Sequence, residues 1–132
     1  MSTLTLTAAQ AAIDAAQAHA AQIGVAMNIA VLDAGGHLKA FVRMDGAMLG
    51  SVDVAIRKAR TSVLFAMKTD DLYEICKPGG MAPGLEHTNG GLVTFAGGVP
   101  MKGADGAMIG AIGVAGGSAA QDLEVAMAGL GA

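Results

Sequence analysis

The chain has 132 residues, of which 53% are hydrophobic and only 14% are charged, and its formal net charge at pH 7 is −3. This length indicates a single domain over residues 1–132, and the mild charge excludes the basic surface that nucleic-acid binding requires. The sequence contains no apolar run of about 18 residues, and residues 1–7 lack the features of a secretory signal. We therefore expect a cytoplasmic protein with neither nucleic-acid nor membrane partners.

The low proportion of charged residues also bears on self-association. Charged residues make up roughly 25% of an average soluble domain, so this chain has few with which to cover a monomer's surface. We expect some apolar surface to be covered by other copies of the chain. The alternative is a small alanine- and glycine-rich protein with an ordinary surface. The single cysteine, Cys76, cannot form an internal disulfide, which is typical of a reducing compartment.

The N-terminal third predicts a helix followed by a β-hairpin. Thr7 and Gln10 have the spacing of a capping box, so we expect a helix over residues 8–23. Two β-compatible runs follow, at residues 27–33 and 37–44, and the short segment between them is rich enough in glycine to turn tightly.

The middle of the chain predicts two helices and a long loop. Apolar residues recur at helical spacing over residues 51–68, and Lys58 is expected on the polar, solvent-facing side of this helix. Residues 69–76 begin with oxygen-bearing side chains that favour a helix start and predict a short helix. Residues 77–91 are too rich in glycine and proline for a regular element, so we expect a loop there.

The C-terminal third predicts further strands and a last helix. Residues 92–96 and 108–115 are interpreted as strands, and residues 97–100 as a bend. Ser118 and Gln121 repeat the capping-box spacing and predict the start of a final helix. Strands grouped in hairpins imply an antiparallel sheet with helices covering its faces, which makes a three-layer α/β domain.

Several motifs, in order along the chain, carry a resemblance to a known family. They are Ala-Val-Leu-Asp-Ala-Gly-Gly at residues 30–36, Phe-Val-Arg-Met-Asp-Gly at 41–46, Lys-Ala at 58–59, Gly-Gly-Val-Pro at 97–100, Ile-Gly-Ala-Ile-Gly-Val-Ala-Gly-Gly at 109–117 and Gln-Asp at 121–122. In these motifs the chain resembles the GlcG/HbpS family, which includes the C-terminal domain of the PduO adenosyltransferases.

The resemblance implies a profilin-like α/β/α fold with a five-stranded antiparallel sheet, assembled as dimers and often octamers. Some members of the family are described as haem-binding or haem-degrading. The resemblance therefore implies a homo-oligomeric protein that binds a small ligand, with haem or a related tetrapyrrole as its possible cofactor.

Three residues are candidates for cofactor binding. His19 lies near the position where haem-binding relatives place a first-helix histidine ligand, and one axial imidazole beside an apolar surface is enough to hold haem. The alternative is an ordinary half-exposed helix histidine. Arg43 or Lys58 could hold a carboxylate or a haem propionate. The resemblance implies a fold that brings these two residues near each other. A structural ion pair is the alternative for these two residues.

Two neighbouring loop residues, Glu86 and His87, are candidate catalytic groups because a carboxylate beside an imidazole can do acid and base chemistry near neutral pH. The alternative is a polar loop tip without a role. The pair supports a second hypothesis, a cofactor-free lyase or isomerase acting on a small carboxylated metabolite between subunits, with Arg43 or Lys58 as the carboxylate clamp. Whether the protein is an enzyme stays open. No histidine, cysteine or carboxylate set has the spacing of a closed metal site.

Overall fold

The computed structural model describes residues 3–132, which form four helices, four strands and one 3₁₀ turn. The helices are α1 (Leu6–Gln22), α2 (Ser51–Phe65), α3 (Thr69–Cys76) and α4 (Ala119–Gly129), the strands are β1 (Asn28–Asp33), β2 (Leu38–Arg43), β3 (Gly98–Lys102) and β4 (Met108–Ala115), and the 3₁₀ turn is Leu85–His87. No helix within this part of the chain has both the length and the apolar character needed to cross a membrane.

The strands form one sheet in the order β2-β1-β4-β3, and every neighbouring pair is antiparallel. The predicted antiparallel α/β domain is confirmed. Among residues 3–132 the sheet has four strands rather than the five that the resemblance implied. The profilin-like description of the layers stays a prediction.

Residues 92–96, predicted as a strand, join no ladder: residues 92–94 have no regular structure and residues 95–96 form a bend. Threonine side chains take the place of a neighbouring strand. The backbone N–H of Val93 donates to Thr61 Oγ1 at 3.1 Å, and the carbonyl of Phe95 accepts from Thr69 Oγ1 at 2.7 Å. Because these groups are already paired with α2 and α3, the segment lies beside the helices and does not extend the sheet.

Helices pack on both faces of the sheet. α1 and α4 contact each other and cover the face that carries Ile29 and Val31, while α2 covers the face that carries Ala30 and Leu32. α2 packs closely on the second face because three small residues lie side by side across the sheet there: Ala30, Gly113 and Gly98, the glycine that begins β3. A Cβ atom at Gly113 would collide with the backbone of α2.

The helix ends show where the sequence signals were right and wrong. The capping box of α4 is confirmed: Ser118 Oγ accepts from the N–H of Gln121 at 3.2 Å, and the Gln121 side chain accepts from the N–H of Ser118 at 2.9 Å. The N-cap of α1 is Thr5 and not Thr7, since Thr5 Oγ1 accepts from the N–H of Ala8 at 3.1 Å. α2 ends earlier than predicted, where Ala66 adopts a left-handed conformation with φ 54°.

Candidate functional site

His19 lies near the C-terminal end of α1, where that helix packs against α4. Its side chain is 29% exposed, and Nε2 is 2.5 Å from the Glu124 carboxylate, which is itself 52% exposed. Ala16 and Ala20, on the two sides of His19 along the helix, are fully buried. The backbone beneath the imidazole is thus fixed by the core, and the ring reaches the surface between two helices.

Lys58 is fully buried, so its predicted position on the solvent-facing side of α2 is wrong. Its Nζ donates to the Asp122 carboxylate at 2.9 Å and to the carbonyl of Val114 at 2.8 Å, and lies 5.0 Å from the centroid of the Phe95 ring. Lys58 forms an ion pair, as the alternative interpretation proposed. Two of the three N–H groups of the ammonium are used in these hydrogen bonds, and because the side chain is fully buried the third does not reach the surface where a ligand could bind.

Burial shifts both members of the Lys58–Asp122 pair towards their neutral forms. It lowers the pKa of Lys58, against the opposing effect of the Asp122 carboxylate, and it raises the pKa of Asp122, against Lys58 and the N–H of Gly117. Each ion is therefore stabilised mainly by the other, as expected for charges removed from water.

Arg43 is not brought next to Lys58. It is exposed at the end of the edge strand β2, whereas Lys58 bonds to β4, and β1 lies between those two strands. Phe41, two residues earlier in β2, packs in the cluster on the α2 side of the sheet. Since alternate residues of a strand share a face, Arg43 lies on that side too, opposite to α1 and His19.

Glu86 and His87 are neighbours in the 3₁₀ turn but have different surroundings. His87 is exposed, whereas Glu86 is partly buried and its Oε1 is enclosed without a hydrogen-bond partner among the described residues. The Glu86 carboxylate lies near Cys76, where burial first and this negative charge second raise the pKa of the thiol. Successive side chains of a 3₁₀ turn point about 120° apart, so the structure does not aim the two groups at one point.

The cavities on the surface of residues 3–132 include four with volumes of about 500, 650, 480 and 360 Å³. The cavity of 650 Å³ is an apolar groove between α1, β3 and the end of α4, with Ala12, Met101 and Leu130 in its walls. None of the four is lined by His19, Glu86 or His87. His19 thus lies outside these four cavities, at the surface between α1 and α4.

Sequence reasoning missed the two acidic residues of α4 that matter most. Asp122 belongs to the last of the family motifs but had no predicted role, and Glu124 was not singled out. Asp122 pairs with a lysine 64 positions earlier, and Glu124 with a histidine 105 positions earlier. No periodicity within one element signals pairs this distant along the chain. A lone lysine on an otherwise small-residue helix face was the only available hint.

Comparison with known proteins agrees with the motif-based expectation. The family model described as "Haem degrading protein HbpS-like" matches residues 4–131. An uncharacterized 15.0 kDa protein from the dhaT-dhaS intergenic region of Citrobacter freundii is 37% identical over 123 residues, which is 92% of this chain and 86% of that protein.

Two solved structures are similar over nearly the whole chain. Klebsiella pneumoniae protein ORFY superposes with a TM-score of 0.94 at 34% identity, covering 99% of this chain and 90% of that one. A PduOC:haem complex superposes with a TM-score of 0.92 at 34% identity, covering 98% and 94%. Both the sequence match and the shared fold extend over almost every described residue, so the chain belongs to the HbpS-like family.

Proposed function

We propose that this protein binds haem or a related tetrapyrrole, with His19 as an axial ligand of the iron. The observation that carries the proposal is the partly exposed His19 imidazole, held at the surface between α1 and α4. The description of the family as haem-degrading and the haem complex of the similar PduOC structure support it.

Small side chains beside His19 leave room for a flat, largely apolar ligand, and the polar group against the ring is the Glu124 carboxylate. Ala15 and Ala18, one turn before His19 and directly before it, are exposed and too small to obstruct a ring lying against the helix. No cluster of three or more histidine, cysteine or carboxylate groups was found in residues 3–132, whereas haem brings its own four nitrogen ligands and requires one imidazole. Haem supplies redox and oxygen chemistry when bound. In this proposal the chain supplies the His19 imidazole as the axial ligand and the apolar surface of α1 against which the haem lies.

Arg43 cannot serve the same haem from within one chain, because the sheet separates it from His19. If Arg43 holds a propionate, it does so from a second copy of the chain. In this proposal Lys58 has a structural role, since its ammonium is fully buried and is hydrogen-bonded to Asp122 and to the carbonyl of Val114.

Replacing His19 by alanine is the direct test of this proposal. Titration of the purified protein with haemin should shift the Soret band, and His19→Ala should weaken binding by about tenfold or more, because an axial ligand is lost. His37→Ala is the matched control, since His37 is 81% exposed on the hairpin turn and should leave the affinity unchanged. An unshifted Soret band at stoichiometric haemin, or unchanged affinity in His19→Ala, would contradict the proposal.

We further propose that the protein self-associates through the edge of the sheet at β2. α2 packs on β4, β1 and β3 but hardly on β2, so the α2-side face of β2 is only partly covered, while α1 covers its other face. Apolar side chains are exposed at the start of this strand and in the segment between β2 and α2: Leu38 is 53%, Met48 61% and Leu49 78% exposed. Apolar surface of this kind marks contacts between proteins, and the low charge of the chain agrees with it.

Leu38→Asp combined with Leu49→Asp should therefore convert the assembled protein into monomers of 13.0 kDa, as measured by light scattering after size exclusion. Charges in an apolar interface must be buried without partners, which strongly opposes association. Met81→Asp is the control because Met81 is 84% exposed in the loop after α3. A monomeric unsubstituted protein would refute the proposed interface.

A further inference from the structure

We propose that Arg57 and Arg60 form a second binding site, for the carboxylate or phosphate group of a small organic molecule. Both side chains belong to α2, and together with Asp53, Asn89 and Gly90 they line a cavity of about 360 Å³. α2 packs on the face of the sheet opposite to α1 and α4. The site is therefore separate from the proposed haem site and does not depend on it.

The loop after the 3₁₀ turn holds both guanidinium groups in place. Arg57 Nη1 donates to the carbonyl of Gly90 at 3.1 Å, and Arg60 Nη1 donates to the carbonyl of Asn89 at 2.8 Å. Because Asn89 and Gly90 are consecutive, with Cα atoms about 3.8 Å apart, the two guanidinium groups lie next to each other. Arg57 is also fixed from α2 itself, where its Nε donates to Asp53 Oδ2 at 2.8 Å. Side chains that are ordered before a ligand arrives lose little freedom on binding, which favours affinity.

Most N–H groups of the two arginines have no partner among residues 3–132. A guanidinium carries five N–H groups, of which Arg57 uses two and Arg60 uses one. The Arg57 side chain is 44% exposed and Arg60 is partly exposed, so both reach solvent. The cavity is thus rich in hydrogen-bond donors, and a ligand that binds there must supply acceptors.

The charge in the cavity favours an anion. Two guanidinium cations share the single carboxylate of Asp53, which is 70% exposed, and Arg60 forms no ion pair within the described part of the chain. Residues three apart on a helix are neighbours, and like charges at such positions repel each other. An anion between the two arginines relieves this repulsion. The planar fork of a guanidinium also matches two oxygens of a carboxylate or a phosphate group.

The walls and the size of the cavity define the rest of the ligand. None of the five residues that line it has an apolar side chain, so charge and hydrogen bonds must provide the affinity. Its volume is near the lower end of the range of about 300–1,000 Å³ that is usual for ligand cavities. A small, polar organic acid or phosphate ester fits these properties, whereas a large apolar ring system does not.

Nitrogen-15 NMR of the arginine side chains tests the site in the haem-free protein. Succinate and inorganic phosphate are the two probes, each added at constant ionic strength. We expect the Nε–H signals of Arg57 and Arg60 to shift together and to saturate with at least one probe, and the tighter probe identifies the anionic group. Arg60→Gln should weaken its binding about tenfold, because hydrogen bonds between charged groups are lost. Shifts that do not saturate with either probe, or equal affinity in Arg60→Gln, would overturn the proposal.

Two further variants distinguish this site from a general attraction of anions to positive charge. Asp53→Asn removes the competing carboxylate but keeps an oxygen that accepts from Arg57 Nε, so the affinity should rise about two- to fivefold. Lys102→Gln is the matched control, since it removes an exposed cation at the end of β3 and should leave the affinity unchanged. Equal weakening by Lys102→Gln and Arg60→Gln, or no gain in Asp53→Asn, would show that the anions do not use this cavity.

Discussion

Lys58→Met is expected to lower the free energy of unfolding by about 3–5 kcal/mol, the usual cost of removing one partner from a buried ion pair. Methionine keeps most of the aliphatic stem of lysine but leaves the Asp122 carboxylate, only 4% exposed, without its cation. The N–H of Gly117, which donates to the other carboxylate oxygen at 2.9 Å, cannot replace a charge. Urea unfolding followed by circular dichroism measures the change.

Two control variants distinguish the free-energy cost of an unpaired buried charge from the cost of lost side-chain packing. In Lys58→Met combined with Asp122→Leu neither charge remains, so most of the lost stability should return. Arg57→Met removes the neighbouring cation of α2, whose exposed side chain pairs with Asp53 and donates to the carbonyl of Gly90, and should cost no more than about 1 kcal/mol. A loss below about 1 kcal/mol in Lys58→Met would show that the pair is not needed to offset burial of the carboxylate.

The destabilised variant should also respond to pH in a defined direction. Burial already raises the pKa of Asp122 above the ordinary value of 3.8, and Lys58 opposes that rise, so removing Lys58 raises this pKa further. Between the unfolded and the folded pKa the native state keeps a proton that the unfolded chain has lost, and stability falls as pH rises. Lys58→Met should therefore regain stability as pH is lowered from about 7 towards 4 relative to the double variant, which lacks this carboxylate.

Local signals in the sequence predicted much of the fold. The hairpin β1–β2, the strand β4 and the start of α4 each follow from residues close together in the chain: a glycine turn between apolar runs, a continuous β-compatible segment and a reciprocal cap. Such signals act within a few residues. The failed strand at 92–96 had an equally good local pattern, but threonines from two distant helices took its backbone hydrogen bonds.

The environment of Lys58 could not be predicted in the same way. Its positive charge predicted a solvent-exposed position, yet Lys58 shares a helix face with Ala55 and Ser62, which are both buried. Charged side chains are almost never fully buried unless they are paired, and the partner here comes from α4. The histidine site has the same limitation, since His19 was selected through the family resemblance while its contact with Glu124 depends on how α1 and α4 pack.

Gly113→Ala is expected to lower the free energy of unfolding by about 3 kcal/mol, near the upper end of overpacking effects. The added methyl would lie 2.6 Å from the backbone nitrogen of Ala59 and still closer to the carbonyl oxygen of Ala55. Helix backbone cannot rotate aside as the end of a side chain can, so α2 must move away from the sheet. Gly50→Ala is the control, because a Cβ there meets open space and the residue already has a helical backbone conformation, so stability should change by no more than about 1 kcal/mol.

The same variant tests whether the two faces of the sheet have separate roles. α2 packs on the face opposite to α1, α4 and His19. If haem binds at His19, the Gly113→Ala protein should bind haemin with unchanged affinity at a low temperature, where it is still folded. Its unfolding midpoint should nevertheless be lower than that of the unsubstituted protein. A folded Gly113→Ala variant with much weaker haemin binding would place the ligand on the α2 side, where Arg43 and the exposed end of β2 would then be the residues to examine.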